Sequence, residues 1–538
     1  MIYLLHQSIL AAAARTPEKI AFVCGRDRLT YGQTADKIRQ LAATLTALGV
    51  KRGDRVGVYL NRSIETAVAL HGIMLAGAAY VPLDPKATAE RLAFQVRDCG
   101  IAVIVSNAAQ QKNGARTLVR CEGLKSTVGL AESLPNLDNV SWPEVFARPT
   151  SFAPAFAPVE TDLAYIMYTS GSTGQPKGIM HTHASGLAFA RLAVATHDLR
   201  ADDVFGNHAP IYFDVSTLAY FAAPLLGATA VIATDGHTIF AASLSKLIAD
   251  ERISVWYSVP LALTQMLQSQ TLGKVDVSSL RQVFYAGEPF APKYIREWRA
   301  AVPHAQLTNW YGPAETNVCT VHNITADPVG NAHVPIGKTW ANTEYLILPP
   351  NERSEPPPAA ANQSSPIANR QSPILIGYLL IRSATLMAGY WNRPDLTAAA
   401  FYDHPNPSGL PHRFYRTGDL VRRDEAGDLH FLGRADNQVK VRGYRVELDA
   451  VEARLLAHPD VAEAAVLALP AAEGTLNLRA FIIAAPGVTP EPKALLTFAG
   501  ETLPWYAVPK TADLRSDFPR TGSGKIDRNA LRQQTTDQ

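Results

Sequence analysis

The stretch LAYIMYTSGSTGQPKG, residues 163–178, places an apolar, strand-like run directly before a loop of glycine, serine and threonine that ends in a lysine. Small residues let the backbone turn tightly and approach a ligand, hydroxyls and amides can contact phosphate oxygens, and Lys177 can neutralise their charge. The loop lacks the GxxxxGK followed by Ser or Thr that defines a Walker A motif, and taken alone an ordinary Gly/Ser turn would also explain it.

Outward from this loop, strand-like runs at 19–23, 54–59, 101–105 and 228–233 alternate with helical stretches at 31–48, 63–75 and 244–251. Such alternation predicts an α/β architecture. Residues 349–372, PPNERSEPPPAAANQSSPIANRQS, read as an exposed insertion with little apolar periodicity. After it come the strand-like segments ILIGYLLI and HFLG, and then a polar, hinge-like run, GRADNQVKVRGYRVEL, at 433–448. A helix and two further strands follow. The expected division is therefore a large core over 1–435 and a small mobile α/β domain over 436–538.

The 538 residues include 50 Lys plus Arg against 48 Asp plus Glu, for a net charge of +2, with 47% hydrophobic residues. This balance argues against global disorder and against a nucleic-acid partner held mainly by bulk charge. The most apolar run, residues 218–233, is only 16 residues long and contains Pro224 and Gly227. It predicts a buried helix-turn-strand segment, with no membrane span. Cys24, Cys99, Cys121 and Cys319 are widely spaced, which predicts a reduced, cytoplasmic protein, although spacing leaves nonlocal pairing open. An amphipathic opening helix, rather than an export signal, is expected over 2–14.

The phosphate loop is accompanied, in order, by YFDVS (212–216), AGEPF (286–290), NWYGPAETNV (309–318), YRTGDL (415–420), GRADNQVKVRGYRVEL and PRTGSGKIDR (519–528). Together these motifs resemble the adenylate-forming superfamily, in particular amino-acid adenylation enzymes of the nonribosomal-peptide type, and the resemblance covers essentially the whole chain. It implies ATP and Mg2+ as cofactors. Nucleotide contacts fall to Thr169, Ser170, Gly171, Ser172, Thr173, Gly174, Lys177, Gly287, Glu288, Pro289, Tyr311, Thr316, Asp419 and Arg434. Glu315 would be the magnesium-associated carboxylate, Lys525 the catalytic lysine and Asp436 the hinge. No catalytic role is given to His181 or His183.

By the same resemblance, Asp214 pairs with the α-ammonium of an amino acid, and Val215, Leu218, Phe284, Ala286, Trp310, Val318 and Cys319 line its pocket. Each of these apolar residues could equally serve in core packing. The mostly apolar lining favours a compact amino acid. The stretches VWYSVPLALTQML (255–267) and VFYAGEPF (283–290) look similar to stand-alone ligases that load L-proline onto a carrier protein, and the long insertion to cyanobacterial relatives in anatoxin-type alkaloid biosynthesis. Alanine, another small amino acid and a β-amino acid stay open, as does an acyl-CoA ligase acting on another small carboxylate. No carrier-like attachment motif follows the small domain, so the expected partner is a separate phosphopantetheinylated carrier protein.

Overall fold

The computed structural model describes residues 1–154, 158–169, 176–330, 333–349, 375–404, 412–434, 438–471, 475–520 and 526–536. All of the predicted insertion except Pro349 lies outside them, and so does the predicted hinge, Asp436.

Two large sheets form the body. In one, the strands run in the spatial order Gly389–Tyr390, Lys177–Thr182, Leu163–Thr169, Ala79–Pro82, Arg55–Val58, Val103–Val105, Ser126–Val128 and Asp138–Val140. In the other the order is Lys338–Thr339, Thr320–Asn323, Gln306–Tyr311, Gln282–Tyr285, Val255–Ser258, Val204–Asn207, Thr229–Ile232, Ile20–Cys24 and Asp27–Thr30. The central strands of each are parallel, as expected where helices cover the faces.

The helix Tyr31–Ala47 illustrates how local sequence sets the packing. Thr30 and Gln33 form a reciprocal capping box, and Ile38, Leu41, Ala42 and Leu45 recur at helical spacing on its buried face. These residues belong to one apolar cluster that also takes Val56 and Val58 from the first sheet and Phe22, Phe205 and Tyr257 from the second. The run at 218–233 is the expected buried helix-turn-strand. Its helical part spans Leu218–Ala222 and Ala223–Leu226, Gly227 turns with φ +72°, and the strand Thr229–Ile232 follows. All four cysteines are buried and free. Among the described residues no helix is long and apolar enough to cross a membrane.

An antiparallel five-stranded sheet, built on Leu375–Ser383 and His412–Arg423, joins the body to the C-terminal part. There the sequence reading needs a correction. The polar run after 437 is a regular hairpin, Gln438–Val441 paired with Tyr444–Glu447. Val441 and Val446 are buried while charged residues alternate with them, a period-2 pattern masked by the high charge. Arg442 and Gly443 turn it with φ of +54° and +83°, the left-handed pair that a two-residue hairpin loop requires. The strands Val461–Pro470, Leu476–Ala484 and Thr511–Leu514 and the helix Leu448–Leu456 complete a smaller α/β domain around its own core.

Several histidines are locked into this body as neutral rings. Burial pushes His71, His181 and His183 down to about 4 and His208 down to about 3, from an ordinary value of 6.5. His71 and His181 each hydrogen-bond a backbone carbonyl, of Tyr220 and Ala314, and His183 Nδ1 accepts from the Leu5 amide. The unfolded chain therefore binds more protons than the folded one between pH 6.5 and about 4, and stability must fall as pH drops through that window. Chemical denaturation at stepped pH should show a plateau above 6.5 and a steep loss below it; a flat profile down to pH 4 would contradict the neutral assignment.

Candidate active site

The site assembles where strands of the second sheet end. Across its parallel strands Asn207 aligns with Tyr257, Tyr257 with Phe284, and Phe284 with Thr308. Period-2 alternation carries Ala286 and Trp310 to the same face, and sends Trp256, Val283, Tyr285 and Leu307 to the opposite one, where they join a separate core cluster. On the site face, Trp310 stacks on Phe284 with ring centroids 4.1 Å apart, and Tyr257 meets Trp310 edge-on at 4.8 Å. Val215, Leu218, Ala286 and Val318 belong to the same buried cluster.

Two placements in this apolar group differ from the sequence reading. Tyr257 was missed: it reaches Phe284 only across the pairing of two strands, which no local feature of VWYS announces. Cys319 belongs to a neighbouring cluster with Ile336, Leu379 and Val421, against Tyr311. Its amide and thiol both donate to the Tyr311 carbonyl, and burial pushes the thiol up to about 12, so it is inert at neutral pH.

Asp214 opens a short 3-10 turn beside this cluster. The Thr217 hydroxyl donates to its backbone carbonyl at 2.6 Å, and Asn317 Nδ2 donates to Thr217 Oγ1 at 3.1 Å. This ties the Asp214 turn to the YGPAETN turn. Desolvation raises the Asp214 carboxyl to about 6, with Lys440 opposing the rise. A cationic ligand would offset that desolvation.

In the YGPAETN turn, a Cβ on Gly312 would lie 2.1 Å from the Asn317 carbonyl oxygen, so only glycine closes it. The turn delivers Glu315, which has no exposed surface. Arg445 Nη1 lies 2.9 Å from both carboxylate oxygens, the Tyr390 hydroxyl donates at 2.7 Å, and Lys177 Nζ stands 3.7 Å away. Burial disfavours the Glu315 charge, but Arg445, Lys177 and the Tyr390 hydrogen bond outweigh it and hold the carboxyl far below the usual range. Thr316 is fully buried, with its hydroxyl donating to the Pro313 carbonyl at 3.1 Å, inside the turn.

Asp419 receives the Tyr311 hydroxyl on one oxygen and the Arg434 guanidinium on the other. Antiparallel pairing of their strands sets Asp419 directly opposite Arg434. Glu288 accepts the Gly443 amide at 2.6 Å, bringing the C-terminal hairpin against the AGEPF turn. A Cβ on Gly443 would meet Val259 at 2.7 Å, so the approach depends on glycine. Gly287 lies beside Gly443, whereas Pro289 is exposed. Thr169 Oγ1 is buried with no hydrogen-bond partner among the described residues. Ser170, Gly171, Ser172, Thr173, Gly174 and Lys525 lie outside the described residues.

Lys177, Arg434, Lys440 and Arg445 thus converge with Asp214, Glu315 and Asp419, each interacting electrostatically with at least one of these acids. Such a set of cations fits a polyanionic ligand. No group of three or more His, Cys, Asp or Glu that could hold a metal occurs among the described residues. A magnesium ion here fits only as one carboxylate supplemented by phosphate oxygens and water, which is ordinary magnesium chemistry.

The chain matches the AMP-binding enzyme family over residues 9–391 and the AMP-binding enzyme C-terminal domain over residues 450–525. It is 33% identical over 536 residues to the L-proline–[L-prolyl-carrier protein] ligase of Pseudomonas fluorescens, covering 99% of each chain. It is also 32% identical over 529 residues to tyrocidine synthase 1 of Brevibacillus parabrevis, covering 98% of this chain but 44% of that protein. Among solved structures, the adenylation domain AlmE of Vibrio cholerae, in complex with glycyl-adenosine-5'-phosphate, matches with a TM-score of 0.83 at 25% identity, over 100% of this chain and 98% of that one.

The chain therefore belongs to the AMP-binding enzyme family and is an adenylate-forming ligase, a class whose catalysis depends on ATP and Mg2+. Within it, the chain is homologous to proline–carrier-protein ligases and related adenylation domains of peptide synthetases.

The Asp214 environment sets a pH dependence. Because its carboxyl is raised to about 6, the anion that an ammonium ligand needs is complete above that pH and is lost as pH falls through it. The KM for an ammonium-bearing substrate should rise progressively below pH 6. In Asp214→Asn it should be high throughout with no such inflection, and a wild-type KM flat from pH 8 to pH 5 would contradict the assignment.

Proposed function

We propose that the enzyme activates a compact amino acid, L-proline first among them, as the aminoacyl adenylate, and then passes the acyl group to the phosphopantetheine thiol of a separate carrier protein. The observation that carries this reading is a desolvated carboxylate, Asp214, beside a buried apolar group of Tyr257, Phe284 and Trp310. An α-ammonium offsets the desolvation of Asp214, and proline combines that ammonium with a compact hydrocarbon ring. The 33% identity to the Pseudomonas proline ligase supports the assignment, and the 32% identity to tyrocidine synthase 1 makes the pocket, rather than overall similarity, the deciding feature.

In the first half-reaction a substrate carboxylate oxygen attacks the α-phosphorus of ATP, the bond to the bridging oxygen breaks, and pyrophosphate leaves with its electrons. Lys525 offsets the charge that passes between carboxylate and phosphate, while Asp419, oriented by Arg434 and Tyr311, holds the ribose hydroxyls. Glu315, with phosphate oxygens and water, would hold magnesium, which supplies charge neutralisation for the departing pyrophosphate. In the second half-reaction the carrier thiolate attacks the acyl carbonyl and AMP leaves. The arrangement in which Gly443 meets Glu288 and Arg445 grips Glu315 suits this second step, because the hairpin face occupies the ground the first step needs. Rotation of the small domain about Asp436 alternates the two.

The test is ATP–pyrophosphate exchange with L-proline, D-proline, alanine, pipecolate, β-amino acids and aryl acids, followed by loading of carrier protein against free CoA. Exchange should be fastest with L-proline and should fall by about a hundredfold or more in Lys525→Ala. Faster exchange with another acid would overturn the proline assignment, and loading of free CoA in preference to a carrier would favour an acyl-CoA ligase.

A further inference from the structure

His197 follows directly after the helix His183–Thr196 and belongs to none of the motifs that define the family. Its ring is buried against the aromatic group. Trp310 Nε1 donates to His197 Nε2 at 3.0 Å, and the imidazole sits 4.6 Å from the Phe284 ring and 5.3 Å from the Trp310 ring. Gln282, two residues before Phe284, also reaches the His197 carbonyl through Nε2 at 3.4 Å. Trp256, Trp298 and Trp340 are buried too, yet their indole nitrogens have no partner among the described residues. Trp142 and Trp391 donate to backbone carbonyls, of Ser106 and Asp98, so among the hydrogen-bonded indoles of the described residues Trp310 is the one whose acceptor is a side chain.

We propose that His197 is a specificity-determining positioning residue: its imidazole, accepting from the indole N–H, fixes Trp310 flat against Phe284 and so holds the apolar subsite to compact side chains. The proposal rests on the reading of this aromatic group as the substrate pocket. Burial keeps the ring neutral by lowering it to about 4, which leaves Nε2 free to accept and puts the ring proton on Nδ1. Without that acceptor the buried indole donor is unsatisfied, and the plane of Trp310 is set by ring packing alone.

The test compares His197→Leu, which removes the acceptor, with His197→Gln, which restores one. With ¹⁵N-indole-labelled protein, exchange protection of the Trp310 N–H should fall about tenfold in His197→Leu and be largely kept in His197→Gln. In pyrophosphate exchange, His197→Leu should raise KM for the preferred compact amino acid about tenfold, leave kcat within about twofold, and improve the relative rate with larger cyclic or branched acids. In a Trp310→Phe background, which has no indole donor, the same His197→Leu change should alter KM by less than about twofold. Unchanged indole protection and selectivity in His197→Leu would overturn the proposal, as would an equal effect of His197→Leu with and without the Trp310 donor. If no amino acid supports exchange in the wild type, the substrate reading falls, and indole protection still decides whether His197 positions Trp310.

Discussion

Glu315 has no surface to share with water, so its charge is met entirely from within the protein. Removing a carboxylate from water is costly, and compensation requires close, well-formed partners on every side. Here they come from three parts of the chain. Lys177 stands at the start of the strand after the phosphate loop, Tyr390 on the edge strand paired with it, and Arg445 on the hairpin of the small domain. One buried charge thereby fixes the relation between the first sheet, the turn that leaves the second sheet and the small domain. The Tyr311–Asp419–Arg434 group and the Glu288–Gly443 contact close around the same point.

The demand for compensation links structure to the reaction cycle. Arg445 Nη1 contacts both Glu315 oxygens, so in the proposed reaction cycle this grip opposes the approach of a metal-bound polyphosphate to the same carboxylate. On the proposed function, Arg445 and a magnesium nucleotide would compete for Glu315, and exchanging them would entail moving the hairpin that carries Arg445. Lys440, on the same hairpin, interacts with both Asp419 and Asp214, so the small domain brings counter-charges to all three acids of the site together.

Much of this was legible in the sequence because it is written in short-range chemistry. The α/β class followed from alternating periodicity. Glu315 and Asp419 sit in motifs whose glycines have local work to do, as Gly312 and the left-handed Gly418 show, and Asp214 sits in the short run YFDVS. The apolar face of Phe284, Ala286 and Trp310 obeys simple strand alternation. Tyr257 was hidden because it becomes a neighbour of Phe284 only through parallel pairing of strands distant in the chain. His197 was hidden because a lone histidine after a helix carries no local mark, and its partner Trp310 is 113 residues away. Arg445 was read as part of a polar hinge, since nothing local distinguishes a strand charge that points into a buried acid from one that faces water.

The proposed cycle sets up a competition between Arg445 and a magnesium nucleotide for Glu315. It is tested most directly by the affinity of a nonhydrolysable ATP analogue with Mg2+, without amino acid, in wild type and Arg445→Ala. Release of the clamp should raise the fraction of enzyme able to take the nucleotide and tighten apparent binding about tenfold. Unchanged or weakened binding in Arg445→Ala would show that the arginine does not compete for that carboxylate.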